Sequence, residues 1–224
     1  MTSQLGGVRG IKGDKEDVSG SSGAQDTKEL LLKIAAEYFA RHGYRQTKIS
    51  DIVKQAGVSQ GTFYWHFKSK EAVALEIIQA GKEQLLAVIQ QGYRKQEGTV
   101  PDMVQASAKL LEGIFRFSRE NPYLMEILFT GGGGDDAIRQ AAYETRIAME
   151  DAFRRNMSRA IELGMLPESM DLDARSALLM SLIEGVISRW LFGPIHPQST
   201  IQDKTPEALA QETARFEFFG LLGM

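Results

Sequence analysis

Within the run ISDIVKQAGVSQGTFYWHFKSK, from Ile49 to Lys70, the residues Gln60, Thr62 and Tyr64 place an amide and two hydroxyls near the start of one short helix. Small and polar side chains at the leading end of a helix can reach base edges in a major groove, and hydroxyl and amide groups can hold phosphates. Ser69 has the form of an N-cap for the following helix, whose first turn carries Lys70. A cation and several free N–H groups would then meet the same phosphate backbone. This is the chemistry of holding a polyanion, and bond-making groups are scarce. The three histidines, His42, His66 and His196, have no metal-ligand partner at i+3 or i+4, and there is no cysteine. Asp135 and Asp136 are adjacent, so on a helix they diverge and suit a solvated first turn better than paired acid and base work. The residues predict no catalytic group, no bound metal and no cofactor.

The elements that must position this chemistry are legible. Ile49, Ile52, Val53 and Ala56 fall along one helical stripe, Gly57 stops that helix, Val58 plugs the turn, and Ser59 caps a second helix starting near Gln60. On that helix Phe63 and Phe67 share the inward face, Gly61, Thr62 and Trp65 point outward, and Tyr64 and His66 lie on the flanks. The pattern is a DNA-reading helix-turn-helix.

The run TFYWHFKSK, the turn AGVSQG, Thr47 just ahead of the stripe and the element His42-Gly43-Tyr44 together resemble the DNA-binding domain of the TetR family, the tetracycline-repressor-like bacterial regulators. The resemblance spans about Gln25 to Gln84. It implies Thr47, Tyr64, His66 and Lys70 as phosphate contacts and Ser59, Gln60, Gly61, Thr62 and Trp65 as the groove-facing set. Gly61 has no side chain to read a base, so specificity there would be shape or backbone readout. The resemblance also implies a homodimeric repressor on a palindromic double-stranded DNA operator, released by a small, apolar effector.

Composition bears on these expectations. The 224 residues are enough for one or two domains with a sizeable core. The formal charge is −3, but its distribution is uneven: residues 24–70 carry eight basic and four acidic side chains, net +4, and residues 71–224 carry fifteen and twenty-two, net −7. A basic head on an acidic body orients a chain on a polyanion. No apolar run approaches the roughly 20 residues that span a bilayer, and no signal-peptide pattern appears, so a cytoplasmic protein without membrane contact is expected. Residues 1–24, rich in Gly, Ser and alternating charge, read as a disordered tail. A sharper alternative makes Arg9 and Lys12 a minor-groove arm.

The rest predicts an all-α chain of about nine helices, with a helix-turn-helix domain over 25–84 and a helical effector-binding and dimerisation domain over 85–224. A first helix carries Leu30, Leu31, Ile34, Ala35, Tyr38 and Phe39; a long fourth runs from Glu71 to about Gln91 as the connector; others cover Met103 to Ser118, Asn121 to Phe129 and Asp135 to Gly164. Gly131 to Gly134 reads as a loop, since no P-loop lysine follows it. Asp171 or Asp173 opens a penultimate helix toward Phe192, and Thr205-Pro206 opens the last. No alternation or hairpin signal suggests a sheet.

Ala177, Ser181 and Gly185 recur every four positions on the penultimate helix, which permits close approach of a partner helix. With Leu178, Leu182, Phe216 and Phe219 supplying apolar area, the last two helices are the dimer interface that the resemblance implies, ordinary intrachain core being the competing reading. Phe115, Tyr123, Met125, Phe129, Tyr143, Met149, Phe153 and Trp190 are candidate pocket walls, with Glu184 and Arg189 as polar anchors. Ordinary core packing is the competing reading for each. Two other classes compete with the regulator: an enzyme of unknown chemistry, and a helical adaptor that contacts proteins. The adaptor would need an apolar outer face where Gln60, Thr62 and Tyr64 stand.

Overall fold

The computed structural model describes residues 19–92, 94–130 and 136–220, and over these the protein is helical with no strand. Among the described residues the helices are α1 (Ser19–His42), α2 (Ile49–Ala56), α3 (Gln60–His66), α4 (Lys70–Gln90), α5 (Val100–Glu120), α6 (Pro122–Thr130), α7 (Asp136–Glu162), α8 (Leu172–Leu191) and α9 (Pro206–Phe219), with a 3₁₀ turn at Ile201–Asp203 before the last. Arg9 and Lys12, the rest of segment 1–18 and the Gly131 to Gly134 loop lie outside the described residues. The first helix starts earlier than expected: residues 19–24, assigned to the tail, are helical.

Local chemistry sets most boundaries. Ser59, Ser69, Thr99, Asp171 and Thr205 each accept a main-chain N–H from the first turn of the helix they precede, satisfying a donor that would otherwise lack a partner. At Thr99 the cap is reciprocal, because Asp102 accepts the Thr99 N–H at 2.7 Å. Gly57 closes α2 at φ 69°, a conformation that a side chain would strain, and turns the chain into α3 within three residues.

One continuous core runs through both halves of the molecule. In the N-terminal half Leu31, Phe39, Ile52, Phe63, Phe67 and Val73 close on one another. Each large side chain so enclosed contributes about 1.5–3 kcal/mol, enough together to fix α3 on α1 and α2. Helix α4 belongs to both halves: Val73 and Ala74 sit under the reader, whereas Leu85 and Ile89 are buried in the body. A domain boundary at 84/85 therefore falls inside this helix. Helix α6 reaches back to the reader as well. The Arg41 guanidinium lies 5.1 Å from the Tyr123 ring centroid and donates to the Tyr123 hydroxyl. A Cβ on Gly81 would meet Leu124 Cδ2 at 2.3 Å, so α4 and α6 touch here and a larger residue would require Leu124 to move.

Candidate nucleic-acid interface and body cavities

Phe63 is fully buried and Phe67 nearly so, which fixes the rotation of α3 and turns its opposite side to solvent. That side carries Trp65, 71% exposed, and Tyr64, 54% exposed, together with exposed Gln60 and Gly61 and half-buried Thr62 and His66. The indole of Trp65 stands edge-on to His66, ring centroids 4.5 Å apart. Ser59 is committed to the cap: its Oγ accepts the Thr62 N–H at 3.0 Å and lies 2.9 Å from the Thr62 hydroxyl. A Cβ on Gly61 would meet only that Oγ, at 3.5 Å, so the outer side of the backbone there is open to a groove wall.

Two expected phosphate contacts are corrected. Thr47 is 2% exposed, and its hydroxyl lies 3.0 Å from the Gly43 carbonyl and 3.1 Å from that of Tyr38, so it ties the turn to the end of α1. Lys70 does not extend to solvent either. Its ammonium donates to the carbonyls of Tyr44 at 2.6 Å and Thr47 at 2.8 Å, lies 3.5 Å from that of Arg45, and sits 4.3 Å from the Tyr44 ring centroid. Both residues are positioning groups, and the consequence of Lys70 is geometric. It ties the first turn of α4 to the main-chain oxygens of the turn that leads into α2. The cations exposed around that junction are Arg45, Lys48 and Lys68, none of which the motif reading singled out. The signal for them was the basic surplus of residues 24–70 combined with the position of Lys48 and Lys68 just ahead of helix starts.

In the body the candidate residues separate. Met125, Phe129 and Glu184 come together around a nearly closed space of about 10 Å³ between α4, α5, α6, α7 and α8, room for about one water molecule. Arg146, absent from the sequence reading, joins them by a two-pronged ion pair, Nε to Glu184 Oε1 at 2.5 Å and Nη2 to Oε2 at 2.6 Å. The pair holds the guanidinium pKa above its ordinary value, against the opposing effect of burial. Phe153 lines a different cavity, of about 90 Å³, between α5, α7 and α9 at the far end of α4. At its mouth Ser107 donates to Glu217 at 2.5 Å. Although Glu217 as a whole is exposed, desolvation of its carboxyl raises the pKa, partly opposed by the Ser107 hydrogen bond.

Of three further expected pocket residues, Phe115 and Arg189 are elsewhere and Tyr143 lies on the surface groove beside the Met125 cavity. Phe115 is fully enclosed edge-on to Trp190, centroids 6.1 Å apart, and is core. Tyr143, 57% exposed, lines an open groove on α6 and α7 together with Phe129 and Arg146. Arg189 is on the surface, donating to the Pro194 carbonyl at 3.0 Å and closing the turn after α8. On the last two helices, Ala177, Leu178, Ser181, Gly185, Phe216 and Phe219 are all exposed in the single chain, Leu178 by 63%. Among the described residues no cluster of His, Asp and Glu has metal-ligand proximity, and no helix is long and apolar enough to cross a membrane.

Comparison with known proteins agrees with this geometry. Residues 31–77 match the family model described as bacterial regulatory proteins, tetR family. The HTH-type transcriptional regulator AcrR of Shigella flexneri is 28% identical over 176 residues, 76% of this chain and 81% of that protein. TtgR of Pseudomonas putida, also an HTH-type transcriptional regulator, is 28% identical over 182 residues, 76% of this chain and 83% of its own length. Among solved structures, FadR of Bacillus subtilis in complex with stearoyl-CoA superposes with a TM-score of 0.69 at 20% identity, covering 86% of this chain and 98% of that one. The helix-turn-helix match over residues 31–77, regulators aligned over about three quarters of this chain and the shared all-helical fold support assigning the chain to the TetR family of bacterial regulatory proteins.

Proposed function

We propose that the protein is a homodimeric transcriptional repressor that reads a two-fold operator through α3 and is released from it by a small ligand bound in the body. The observation that carries this reading is the outer face of α3, where Gln60, Thr62, Tyr64 and Trp65 stand on a helix locked from below by Phe63 and Phe67. An adaptor would present an apolar surface at that place. Around it, the N-termini of α2 and α4 with Arg45, Lys48 and Lys68 supply a landing for phosphates. The relatives AcrR and TtgR are transcriptional regulators, and the FadR structure was solved with stearoyl-CoA, which supports a body that takes up a ligand.

Dimerisation is assigned to the exposed stripe of small and apolar residues on α8 and α9. Two-fold symmetry then sets the two α3 helices roughly 34–36 Å apart, or a longer multiple, to enter successive major grooves. The effector space is assigned to the cavity walled by Met125, Phe129 and Glu184. Helix α6, which lines it with Met125, Leu128 and Phe129, also touches α1 through Tyr123 and α4 through Leu124. A ligand that enlarges this cavity shifts α6 and with it the reader, and releases DNA to the extent that it prefers the displaced state. Such a repressor acts where the DNA is, in the cytoplasm.

The test is a gel-shift series with duplexes from the regions flanking the gene, at several salt concentrations. Nanomolar, sequence-selective binding that falls steeply with salt is expected. Binding that is indifferent to sequence and to salt would remove the reading.

A further inference from the structure

The effector cavity continues into an open groove on the surface of α6 and α7, because Leu128, Phe129 and Arg146 line both spaces. Arg146 stands at the junction. We propose that the ligand is an amphipathic anion, whose hydrocarbon body enters between α6, α7 and α8 and whose carboxylate or comparable oxyanion head is held by Arg146. This inference rests on the assignment of the effector to this cavity and adds its chemical class.

The interior end is apolar and adaptable. Met125, Met149 and Met180 wall it beside Phe129, and unbranched thioether chains rearrange at little cost, so a space that is almost closed without ligand can open along their length. The head-group end is decided by the ion pair. A guanidinium has five N–H donors; Glu184 takes one from Nε and one from Nη2, and the rest have no partner among the described residues. Glu184 lies deeper, its side chain 18% exposed against 41% for Arg146, and both its oxygens already accept from Arg146. The groove itself carries the Arg139–Asp136 ion pair and Tyr143, and at the cavity mouth a head group meets the unused donors of Arg146 before the Glu184 carboxylate. Glu184 fixes the guanidinium plane, which leaves the remaining edge set for an oxyanion. To reach the Glu184 carboxylate at the cavity mouth, a cationic head would have to displace Arg146 from its pair.

The test uses the full chain and three probes of equal length, decanoate, decanol and decylammonium, below their aggregation limits, with binding measured by calorimetry and thermal shift. Decanoate is expected to bind at least about tenfold more tightly than the other two. In the double variant R146Q/E184Q, which removes both charges together and so leaves no unpaired ion to unfold the protein, that preference is expected to shrink to about threefold or less. Preference for decylammonium, equal binding of all three, absence of binding by any, or a preference unchanged in the double variant overturns the proposal. Operator binding by the same preparations, read by gel shift, reports separately on the repressor reading and is unaffected by which probe wins.

Discussion

The Lys70 ammonium donates to the main-chain oxygen of Thr47 at 2.8 Å, tying the first residue of α4 to the turn two residues ahead of α2. A cation that would serve as an obvious phosphate contact is instead used to tie α4 to the turn ahead of α2. Its contribution to DNA binding is consequently indirect, through the placement of other groups.

That distinction separates Lys70 from Lys48. Lys70→Met is expected to lower stability by about 2 kcal/mol in chemical denaturation, since hydrogen bonds from a charged group are lost, and to weaken DNA binding on all sequences alike. Its salt dependence, read as the slope of log K against log salt, should stay nearly unchanged. Lys48→Ala is expected to leave stability within about 0.5 kcal/mol and to reduce the slope by about 0.9, the signature of one phosphate contact. The reverse pattern would return Lys70 to the phosphate backbone.

Thr47→Val keeps the shape of a buried side chain and removes the hydroxyl that lies against the Gly43 and Tyr38 carbonyls. A loss of about 1–2 kcal/mol in unfolding free energy is expected, with operator affinity of the folded protein unaltered. A large loss of affinity without loss of stability would show that Thr47 touches DNA after all.

Trp65 is the complementary case. Its exposure means that Trp65→Ala should change stability by no more than about 0.5 kcal/mol, while operator affinity falls about tenfold or more. Melting temperature and fluorescence anisotropy with labelled duplex measure the two quantities on the same sample.

Glu217 predicts a pH dependence. Its carboxyl pKa is raised above 4.5 in the folded chain by desolvation. The folded state therefore binds the proton more strongly, and this contribution to stability is fully present below the unfolded value and is lost as pH rises through the folded one. Glu217→Gln should flatten the stability curve above about pH 4.5 and leave the variant more stable than the parent at about pH 8. Parallel curves for the two proteins would place the carboxyl in free solvent.

What the sequence conveyed was local. The stripe of Ile49, Ile52, Val53 and Ala56, the glycine stop at Gly57, the caps Ser59 and Thr205 and the inward pair Phe63 and Phe67 all depend on neighbours within a few residues, and each stands where those patterns place it. The misplaced roles involve distant partners. Lys70 is spent on carbonyls more than twenty positions earlier, and Glu184 on a guanidinium 38 positions away, so neither commitment is visible in spacing. Tyr143 and Arg189 were candidate ligand contacts because of their chemistry and their place on body helices. Which side of a helix faces the core depends on the neighbour it packs against: Arg189 lies on the surface against Pro194, and Tyr143 lines the outer groove rather than the closed cavity. Arg146 was missed for the same reason, one of many arginines until α8 brings Glu184 to it.

The central claim, that α3 reads a two-fold operator, is tested most directly by selecting binding sites from random duplexes with the full-length protein and repeating the selection with Trp65→Ala. The account predicts enrichment of an inverted repeat whose half-sites lie about one or more helical turns apart, roughly 34–36 Å per turn, and loss of that enrichment in the variant at unchanged fold stability. Recovery of no preferred sequence by the parent protein, or of the same repeat with equal affinity by the variant, would contradict it.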